Sequence, residues 1–426
     1  MANNWNEVRY TLDQSSNFSA IYNSPWYSDA VYDKFSEAEY QRRYEHARRI
    51  MVREGLQALL LTGAPNFFAH SDAVTWATGL EDARGMCQYV ILPLDGEPTL
   101  VYPHPGCHIE AARQMVSISD VRGSEGGQYG KVIADRLKEL GIEEGTIGVT
   151  AADRHGPEYM GLKCYQDLVK LLPNASFKFL PHIHHEMTAI KSDEEVEAMD
   201  RAAELAVDAF EAVLATARPG VFEYQLAAAG TYAILNGGGL THLMMIGSTS
   251  MHDPKMVFPN PIPSQRVLKK GDIILTEIVA QYKGYYAKIG HPITVGPPTA
   301  EAKSFYQEIV LGGYRALEAQ LMPGKSLEDV RKAGSYFREK GAQSRPIMVH
   351  GVDLLTSLPY INIDRIVALP GDEIIRPGNT YCIEITPINA EGTFGMFLAR
   401  TTLITEDGQR DIINYPLDEL AVADGG

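Results

Sequence analysis

Apolar and polar positions alternate with two different periods along the first half of the chain. A segment that opens with Ser36 and Glu39 has the pattern of a capping box and then carries apolar residues at helical spacing. Short apolar runs typical of strands follow, one of them folded back at Asp95-Gly96, and helical and strand-like segments alternate after that. This alternation predicts an α/β domain, which we place at residues 35–185.

The pattern changes in the second half, where long amphipathic segments are mixed with hairpin-like strands. Ser192 and Glu195 form a second capping box at the start of a long helical segment that Pro219-Gly220 ends. Three further helical segments follow it. Strand-like runs lie at 272–296, 380–389 and 394–406. The pattern predicts an α+β domain at residues 186–426, in which helices cover an antiparallel sheet.

The stretch before the first helix has neither period. Residues 1–34 are rich in Asn, Ser and Tyr and show no apolar repeat. We interpret them as an amino-terminal arm that wraps a neighbour or the body, or else as a partly ordered tail.

Composition and charge narrow the classes of partner. The chain has 426 residues, of which 45% are hydrophobic, and a formal charge of −16. An acidic surface disfavours nucleic acids and anionic membranes, because phosphate groups attract basic proteins. No apolar run approaches the length of a membrane span, and the start lacks the apolar segment of a secretory signal. The four cysteines form no C-x-x-C pair, so we expect a cytoplasmic protein with reduced thiols.

One predicted hairpin carries opposite charges on apolar strands. Glu277 and Lys288 are eleven residues apart on either side of a turn near Tyr282–Gly284. We predict that the two side chains are direct partners across the hairpin and share one face of the sheet. An ammonium placed there could neutralise a buried carboxylate, because isolated burial of a charge is costly.

Several stretches resemble the pita-bread superfamily, which includes methionine aminopeptidase, prolidase and creatinase. They include "IKSDEEVEAMDRAAELA", "LKKGDIILTEIVAQYKGYYAKIGHPITVG" and "RPGNTYCIEITPINAEGTFGMFLARTTLITEDG". The first half, from "FSEAEYQRRYEHARRIMVREGLQALLLTG" onward, resembles the amino-terminal domain of the creatinase, prolidase and ectoine hydrolase branch. The resemblance implies a carboxy-terminal pita-bread fold preceded by a smaller α/β domain.

The resemblance also implies a changed metal site. Metallopeptidases of this superfamily hold two metal ions with Asp, Asp, His, Glu and Glu. These positions fall on Glu277, Lys288, His350, Glu384 and Ala399. A lysine ammonium offers no lone pair and repels a cation, and an alanine offers no ligand. The resemblance therefore implies a site without metal or other cofactor, as in creatinase and ectoine hydrolase, which hydrolyse C–N bonds of small solutes.

We expect the same residues to carry out acid–base chemistry. Glu277 or Glu384 would be the base, His350 would relay a proton to the leaving nitrogen, and Lys288 would keep the carboxylates ionised and stabilise an oxyanion. The alternative is a structural ion-pair cluster in an inactive site, with His350 as an ordinary core histidine.

Three further residues lie close to the site positions in sequence. His252 precedes the position at which creatinase has a catalytic histidine, and His291 follows the position of an additional creatinase glutamate. Cys382 lies two residues before Glu384 and so shares its strand face. We predict that all three line a substrate pocket; for Cys382 the pattern favours the alternative of a small core residue.

In this branch the amino-terminal domain of a partner subunit covers the pocket. The matching loop is "TWATGLEDARGMCQY", in which Trp76 could form a pocket wall and Arg84 could hold a substrate carboxylate. Surface packing and a solvated charge are the alternatives for these two residues. We therefore expect a homodimer that acts on a small molecule.

Two other functions remain open at this point. A single metal ion bound by Glu277, His350 and Glu384 would give a lyase or an Xaa-Pro-type peptidase. A pita-bread domain that binds a ligand without catalysis is the second.

Overall fold

The structure is a computed structural model. It describes residues 29–63, 72–81, 87–104, 107–150, 160–180, 182–354 and 356–423. The chain divides into two compact units, Met1–Thr188 and Ala189–Gly426. Most of the amino-terminal arm lies outside the described residues.

The first unit is a six-stranded mixed sheet with helices. Its elements are α1 (Glu37–Glu54), β1 (Ala58–Gly63), α2 (Asp72–Thr78), β2 (Gln88–Pro93), β3 (Thr99–Tyr102), α3 (Cys107–Met115), β4 (Asp120–Gly123), α4 (Tyr129–Glu139), β5 (Thr146–Thr150), α5 (Leu162–Leu171), β6 (Ser176–Phe179) and α6 (His182–Thr188). The strand order is β4-β3-β2-β1-β5-β6. Strand β2 runs antiparallel to both its neighbours, whereas the outer pairs are parallel.

Local signals at α1 agree with the sequence pattern. The Ser36 side chain accepts a hydrogen bond from the Glu39 backbone N–H, and Gly55 ends the helix with a left-handed φ of 68°. The Glu39 carboxylate pairs with Arg42 and Arg43 on the same helix. The stretch "TWATGLEDARGMCQY" is not a loop throughout, although the sequence predicts one. Helix α2 includes its first residues, and Trp76 is buried there.

The second unit contains α7 (Asp193–Thr216), α8 (Glu223–Asn236), β7 (Leu240–Ser250), β8 (Asp272–Tyr282), β9 (Tyr285–Gly290), β10 (Ile293–Val295), α9 (Ala300–Ser304), α10 (Gly312–Glu318), α11 (Leu327–Ala333), α12 (Ser335–Glu339), β11 (Gln343–Ser344), β12 (Ile347–Val352), β13 (Thr356–Asn362), β14 (Ile366–Val367), β15 (Thr380–Ile385), β16 (Pro387–Ile388), β17 (Leu398–Ile404), β18 (Gln409–Asp411) and β19 (Ala421–Ala423). A π-helical segment, Phe305–Leu311, joins α9 to α10, so this helical stretch has three parts.

Eleven strands of the described residues form one curved sheet in this unit. Its main order is β14-β13-β12-β15-β17-β9-β8-β10-β19, with β7 beside β8 and β18 beside β17. The pairs are antiparallel except for β10 with β19. This α/β unit followed by an α+β unit confirms the predicted fold class.

Helix α7 covers one face of the central hairpin. Its Ser192 capping box forms as predicted, Phe210 packs edge-on against His291, and Tyr285 donates a hydrogen bond to the Glu195 carboxylate. Successive side chains of a strand point to opposite faces. Tyr286, Lys288 and Gly290 therefore project from the other face of β9, away from α7. Among the described residues, no helix has the length and apolar character needed to cross a membrane.

Candidate active site

A two-residue turn sets the register of the β8–β9 hairpin. Lys283 and Gly284 both have positive φ, 49° and 83°, which is the conformation of a type I′ turn. Tyr282 therefore opposes Tyr285, and Lys288 opposes Val279. The predicted direct pairing of Glu277 with Lys288 is wrong by two positions. The two residues are diagonal neighbours on one face, and the long lysine side chain spans the offset.

The lysine joins two carboxylates from different strands. Lys288 Nζ lies 2.8 Å from Glu277 Oε1 on β8, and it also donates to Glu384 Oε2 on β15. The side chains of Lys288 and Glu277 are each 6% exposed, and that of Glu384 is 13% exposed. Water screens such charges weakly, so these ion pairs interact much more strongly than surface pairs do. We call this group the lysine–carboxylate cluster.

His350 extends the cluster from the next strand. It lies directly opposite Cys382, and its Nε2 is 3.2 Å from Glu384 Oε2. Its Nδ1 is 2.8 Å from the Gly351 carbonyl oxygen. A carbonyl can only accept, so Nδ1 carries a proton and donates to Gly351. The contact between Nε2 and the Glu384 carboxyl therefore accommodates one further, exchangeable proton.

The surroundings shift the pKa values of Glu277 and Glu384 in opposite directions. Burial raises the pKa of Glu277, and the nearby Lys288 ammonium only partly opposes this. Burial acts in the same sense on Glu384, but Lys288 and the hydrogen bond with His350 hold the pKa of Glu384 well below its usual range. A pair of carboxyls whose pKa values are driven apart is typical of acid–base sites.

The two basic groups also have shifted pKa values. Burial favours loss of the Lys288 proton, yet the two carboxylates keep the pKa of Lys288 well above its ordinary value. Burial lowers the pKa of His350, and the Glu384 carboxylate opposes that shift. Lys288 is therefore a permanent cation, whereas His350 releases its Nε2 proton readily.

The residues present do not fit a two-metal centre. The Lys288 ammonium lies between Glu277 and Glu384 and already bonds to both carboxylates. Ala399 directly opposes Glu384 on one side and Gly290 on the other, so its methyl group occupies the position that the resemblance gives to a ligand. A cation and a methyl group supply no metal-binding atom.

A smaller set of donor atoms could hold a single ion. One ligand atom each of His350, Cys382 and Glu384 lie within 4.8 Å of one another. Imidazole, thiolate and carboxylate together suit zinc. However, Glu384 Oε2 is engaged by Lys288 and His350, and burial raises the pKa of the Cys382 thiol. Glu277 reaches this group only through Lys288, so the predicted ligand set of Glu277, His350 and Glu384 is not the one the structure assembles.

The predicted residues His252 and His291 do not join the cluster. His291 lies on the opposite face, where its Nε2 is 2.9 Å from the Glu419 carbonyl oxygen and its Nδ1 is 3.2 Å from Arg400 Nη2. Burial and the Arg400 charge lower the pKa of His291 to about 3. His252 is exposed at a turn beside Gly271. These positions argue against a substrate contact for either histidine.

Trp76 and Arg84 are the two residues that the sequence predicts to cover the pocket of a partner subunit. Trp76 is fully buried within the first unit, where its carbonyl oxygen accepts a hydrogen bond from Arg43. It presents no surface to a neighbouring subunit, which corrects the prediction of a pocket wall. Arg84 lies outside the described residues. Cys382, by contrast, lies beside His350 and Glu384 and is fully buried, and its contact with a substrate stays a prediction.

Sequence reasoning missed Tyr286, which lies two residues before Lys288 and therefore on its face. The Tyr286 hydroxyl is 2.8 Å from Thr356 Oγ1, and the His242 ring stacks on it at 5.4 Å. Strand alternation alone could have identified this residue.

Comparisons with known proteins agree with this architecture. Residues 197–406 match the model of metallopeptidase family M24, and residues 43–189 match the creatinase/prolidase amino-terminal domain. The chain is 24% identical to the Xaa-Pro dipeptidase of Pyrococcus horikoshii over 374 residues, which cover 84% of this chain and 93% of the relative. It is 23% identical to the ectoine hydrolase of Halomonas elongata over 401 residues, which cover 90% and 97%.

Solved structures show the same fold. The crystal structure of the X-Pro aminopeptidase from Thermotoga maritima superposes with a TM-score of 0.72 and 19% identity. The superposition covers 88% of this chain and 99% of that one. The two domains therefore occur here in the same order as in these relatives.

Proposed function

Because this chain belongs to the pita-bread superfamily, we propose that it is a hydrolase that cleaves a C–N bond of a small, polar, nitrogen-containing solute without a metal ion. The relatives named as hydrolases and dipeptidases support hydrolysis as the reaction class. The lysine–carboxylate cluster carries the finer proposal. The Lys288 ammonium lies between the two carboxylates and supplies the positive charge there.

Glu277 is the general base in this proposal. Its raised pKa makes the ionised form a stronger base than an exposed carboxylate, so it can take a proton from an attacking water. The water oxygen bonds to the substrate carbon as the π electrons move to the carbonyl or imine heteroatom. The Lys288 ammonium lies where it can stabilise the negative charge that forms there.

The contact between His350 and Glu384 supplies the proton for the leaving nitrogen. Its exchangeable proton moves to that nitrogen as the electron pair on the heteroatom re-forms the double bond. The C–N bond breaks, and its bonding pair leaves with the nitrogen. The proton that Glu277 took from water later restores the pair. Glu384 thus orients His350, while Gly351 fixes the ring through Nδ1.

We further propose that the enzyme works as a cytoplasmic homodimer on a small-molecule substrate. Cys87, Cys164 and Cys382 are free thiols, which suits a reducing compartment. The resemblance to the creatinase branch supports completion of the pocket by a partner subunit.

The test is hydrolysis of a panel of ureas, guanidino acids and cyclic amides by the purified full chain, with and without a chelator. We expect turnover that the chelator leaves unchanged and a metal content well below one ion per chain. Glu277→Gln and Glu384→Gln should each lose about 10²–10⁴-fold in kcat. The exposed Glu391→Gln is the matched control and should keep full activity.

The roles of Glu277 and His350 can be separated by substrates with different leaving groups. His350→Gln should lose much less activity on an activated aryl ester, whose phenolate leaving group needs no protonation, than on the corresponding amide. Glu277→Gln should lose activity on both, because water activation is needed for both. Equal losses of both variants on both substrates would contradict the assignment.

The group of His350, Cys382 and Glu384 favours one alternative, a single-metal enzyme. That reading expects stoichiometric zinc in the purified protein, inactivation by chelator, and loss of the metal in Cys382→Ser. Our proposal expects Cys382→Ser to retain activity. Binding of a panel compound without any turnover would instead support a non-catalytic binding protein.

A further inference from the structure

A lone guanidinium lies near the lysine–carboxylate cluster. Arg345 sits in the connection between β11 and β12, and its backbone N–H donates to the Thr386 carbonyl oxygen at 3.1 Å. Thr386 directly follows β15, the strand that carries Glu384. The Arg345 side chain therefore starts beside the end of a strand that belongs to the site.

Two aromatic rings connect this side chain with the cluster. The Arg345 Cζ atom lies 3.7 Å from the centre of the Phe258 ring, and Phe258 meets Phe397 edge-on at 5.2 Å. Phe397 in turn covers Gly290, where an added Cβ would come within 2.4 Å of the ring. Gly290 pairs with Ala399, the residue opposite Glu384. The aromatic pair thus forms a continuous wall from the cluster to the guanidinium.

The N–H groups of the Arg345 guanidinium are available to bind a ligand. Within the described part of the chain, Arg345 makes no ion pair and no side-chain hydrogen bond, although it is half-buried. Most other partly buried arginines of the second unit are paired, as Arg266 is with Asp272. Stacking on Phe258 keeps the planar group oriented while leaving its N–H edge available. The positive charge is also close enough to favour the ionised form of Glu277.

We propose that Arg345 is an anion subsite that binds the carboxylate of the substrate. This inference rests on the proposed function, because it places the scissile C–N bond at the cluster and the acid group at the far end of the Phe397–Phe258 wall. The substrate class is then a small carboxylic acid that carries a ureido, guanidino or lactam group. The fork of N–H donors suits bidentate recognition of a carboxylate.

Binding measurements test the subsite without depending on turnover. Calorimetric titrations of the full chain would use three acids and their neutral primary amides: N-carbamoylglycine, 4-guanidinobutyrate and pyroglutamate. For at least one pair, the parent should bind the acid about tenfold or more tightly than the amide, as expected for charge-assisted hydrogen bonds. Arg345→Gln should abolish this preference, and Arg345→Lys should keep only part of it.

A matched control separates local recognition from overall charge. Arg338→Gln removes an exposed guanidinium and should leave the acid preference unchanged. The subsite is overturned if Arg345→Gln keeps the preference, if Arg338→Gln loses it to the same extent, or if no acid binds the parent at millimolar concentration.

The outcomes also distinguish this inference from the proposed function. Binding of an acid that depends on Arg345, without any hydrolysis, would retain the subsite and refute the hydrolase. Hydrolysis of neutral substrates with no preference for the acids would retain the hydrolase and refute the subsite.

Discussion

Replacement of Lys288 by methionine removes the cation of the cluster but keeps most of the side-chain volume. Glu277 and Glu384 then face each other in a region where the lysine–carboxylate side chains are 13% exposed or less. Removing one partner of a buried ion pair costs about 3–5 kcal/mol, because the remaining charge is uncompensated. For a unit of this size, such a loss lowers the thermal midpoint by about 6–20 °C.

The size of this loss should depend on pH. Without Lys288 the pKa of each carboxyl should rise, and a rise of one unit corresponds to about 1.4 kcal/mol. A group whose pKa is raised in the folded state stabilises the fold at pH values below its pKa in the unfolded state. This stabilisation is lost as the pH rises through the pKa of the folded state. In the parent, the lowered pKa of Glu384 acts in the opposite sense, since its stabilisation is lost as pH falls. The difference between parent and variant should therefore be larger at about pH 8 than at about pH 5.

Urea unfolding, followed by two spectroscopic probes, would measure this difference in the free energy of unfolding and assign it to one of the two structural units. Trp76 is buried in the first unit, so in a background with Trp5→Phe and Trp26→Phe its fluorescence reports that unit. Far-ultraviolet circular dichroism reports the loss of helices and strands in both units and so also follows the second unit. Only the transition of the second unit should shift in Lys288→Met.

The control is Lys131→Met, which removes a lysine that pairs with Glu125 and Asp135 and whose side chain is 43% exposed. It should cost no more than about 1 kcal/mol. A second substitution, Glu384→Gln, should restore part of the stability lost in Lys288→Met. If Lys288→Met costs less than about 1 kcal/mol at both pH values, the cluster does not depend on the lysine charge and the site assignment fails.

Three further outcomes follow from the same structure. Lys288→Asp should bind Mn²⁺ or Zn²⁺ more tightly than the parent and be stabilised by it, as seen in a thermal-shift titration; no uptake would contradict the role of Lys288 as a built-in cation. Gly290→Ala should destabilise the second unit by about 1–3 kcal/mol, because the new methyl group would lie 2.4 Å from Phe397; a neutral effect in urea unfolding would show that the ring can move away. Ser192→Ala should cost about 1 kcal/mol through the lost capping box of α7, and Ser192→Thr should retain most of it in the same assay.

Local signals were enough to predict much of the fold. Ser36 and Ser192 begin helices as predicted, because capping residues interact with neighbours a few positions away. Glu277 and Lys288 do share a face, as their strand positions indicated. Their register was missed by two positions, because it depends on which two residues, Lys283 and Gly284, form the turn.

Long-range pairings could not be predicted from the residues alone. His350 meets Cys382 and Glu384 only because β12 pairs with β15, and the resemblance to a known superfamily was the sole indication. Trp76 was assigned to a surface loop, yet α2 turns it into the core. Arg345 had no signal, since its position beside Phe258 comes from chain segments about ninety residues apart.

The internal ammonium of Lys288 changes how the site depends on its surroundings. A bound metal stabilises a folded protein by mass action, so the effect grows with the free concentration of the ion. A cation tethered to β9 has no free concentration, and dilution or competing proteins cannot remove it. The charge balance then needs only closure of the β8–β9 hairpin, pairing of β9 with β17 and pairing of β17 with β15. The charge balance of the proposed site should therefore be complete once the chain has folded, whether the cell is rich or poor in transition metals.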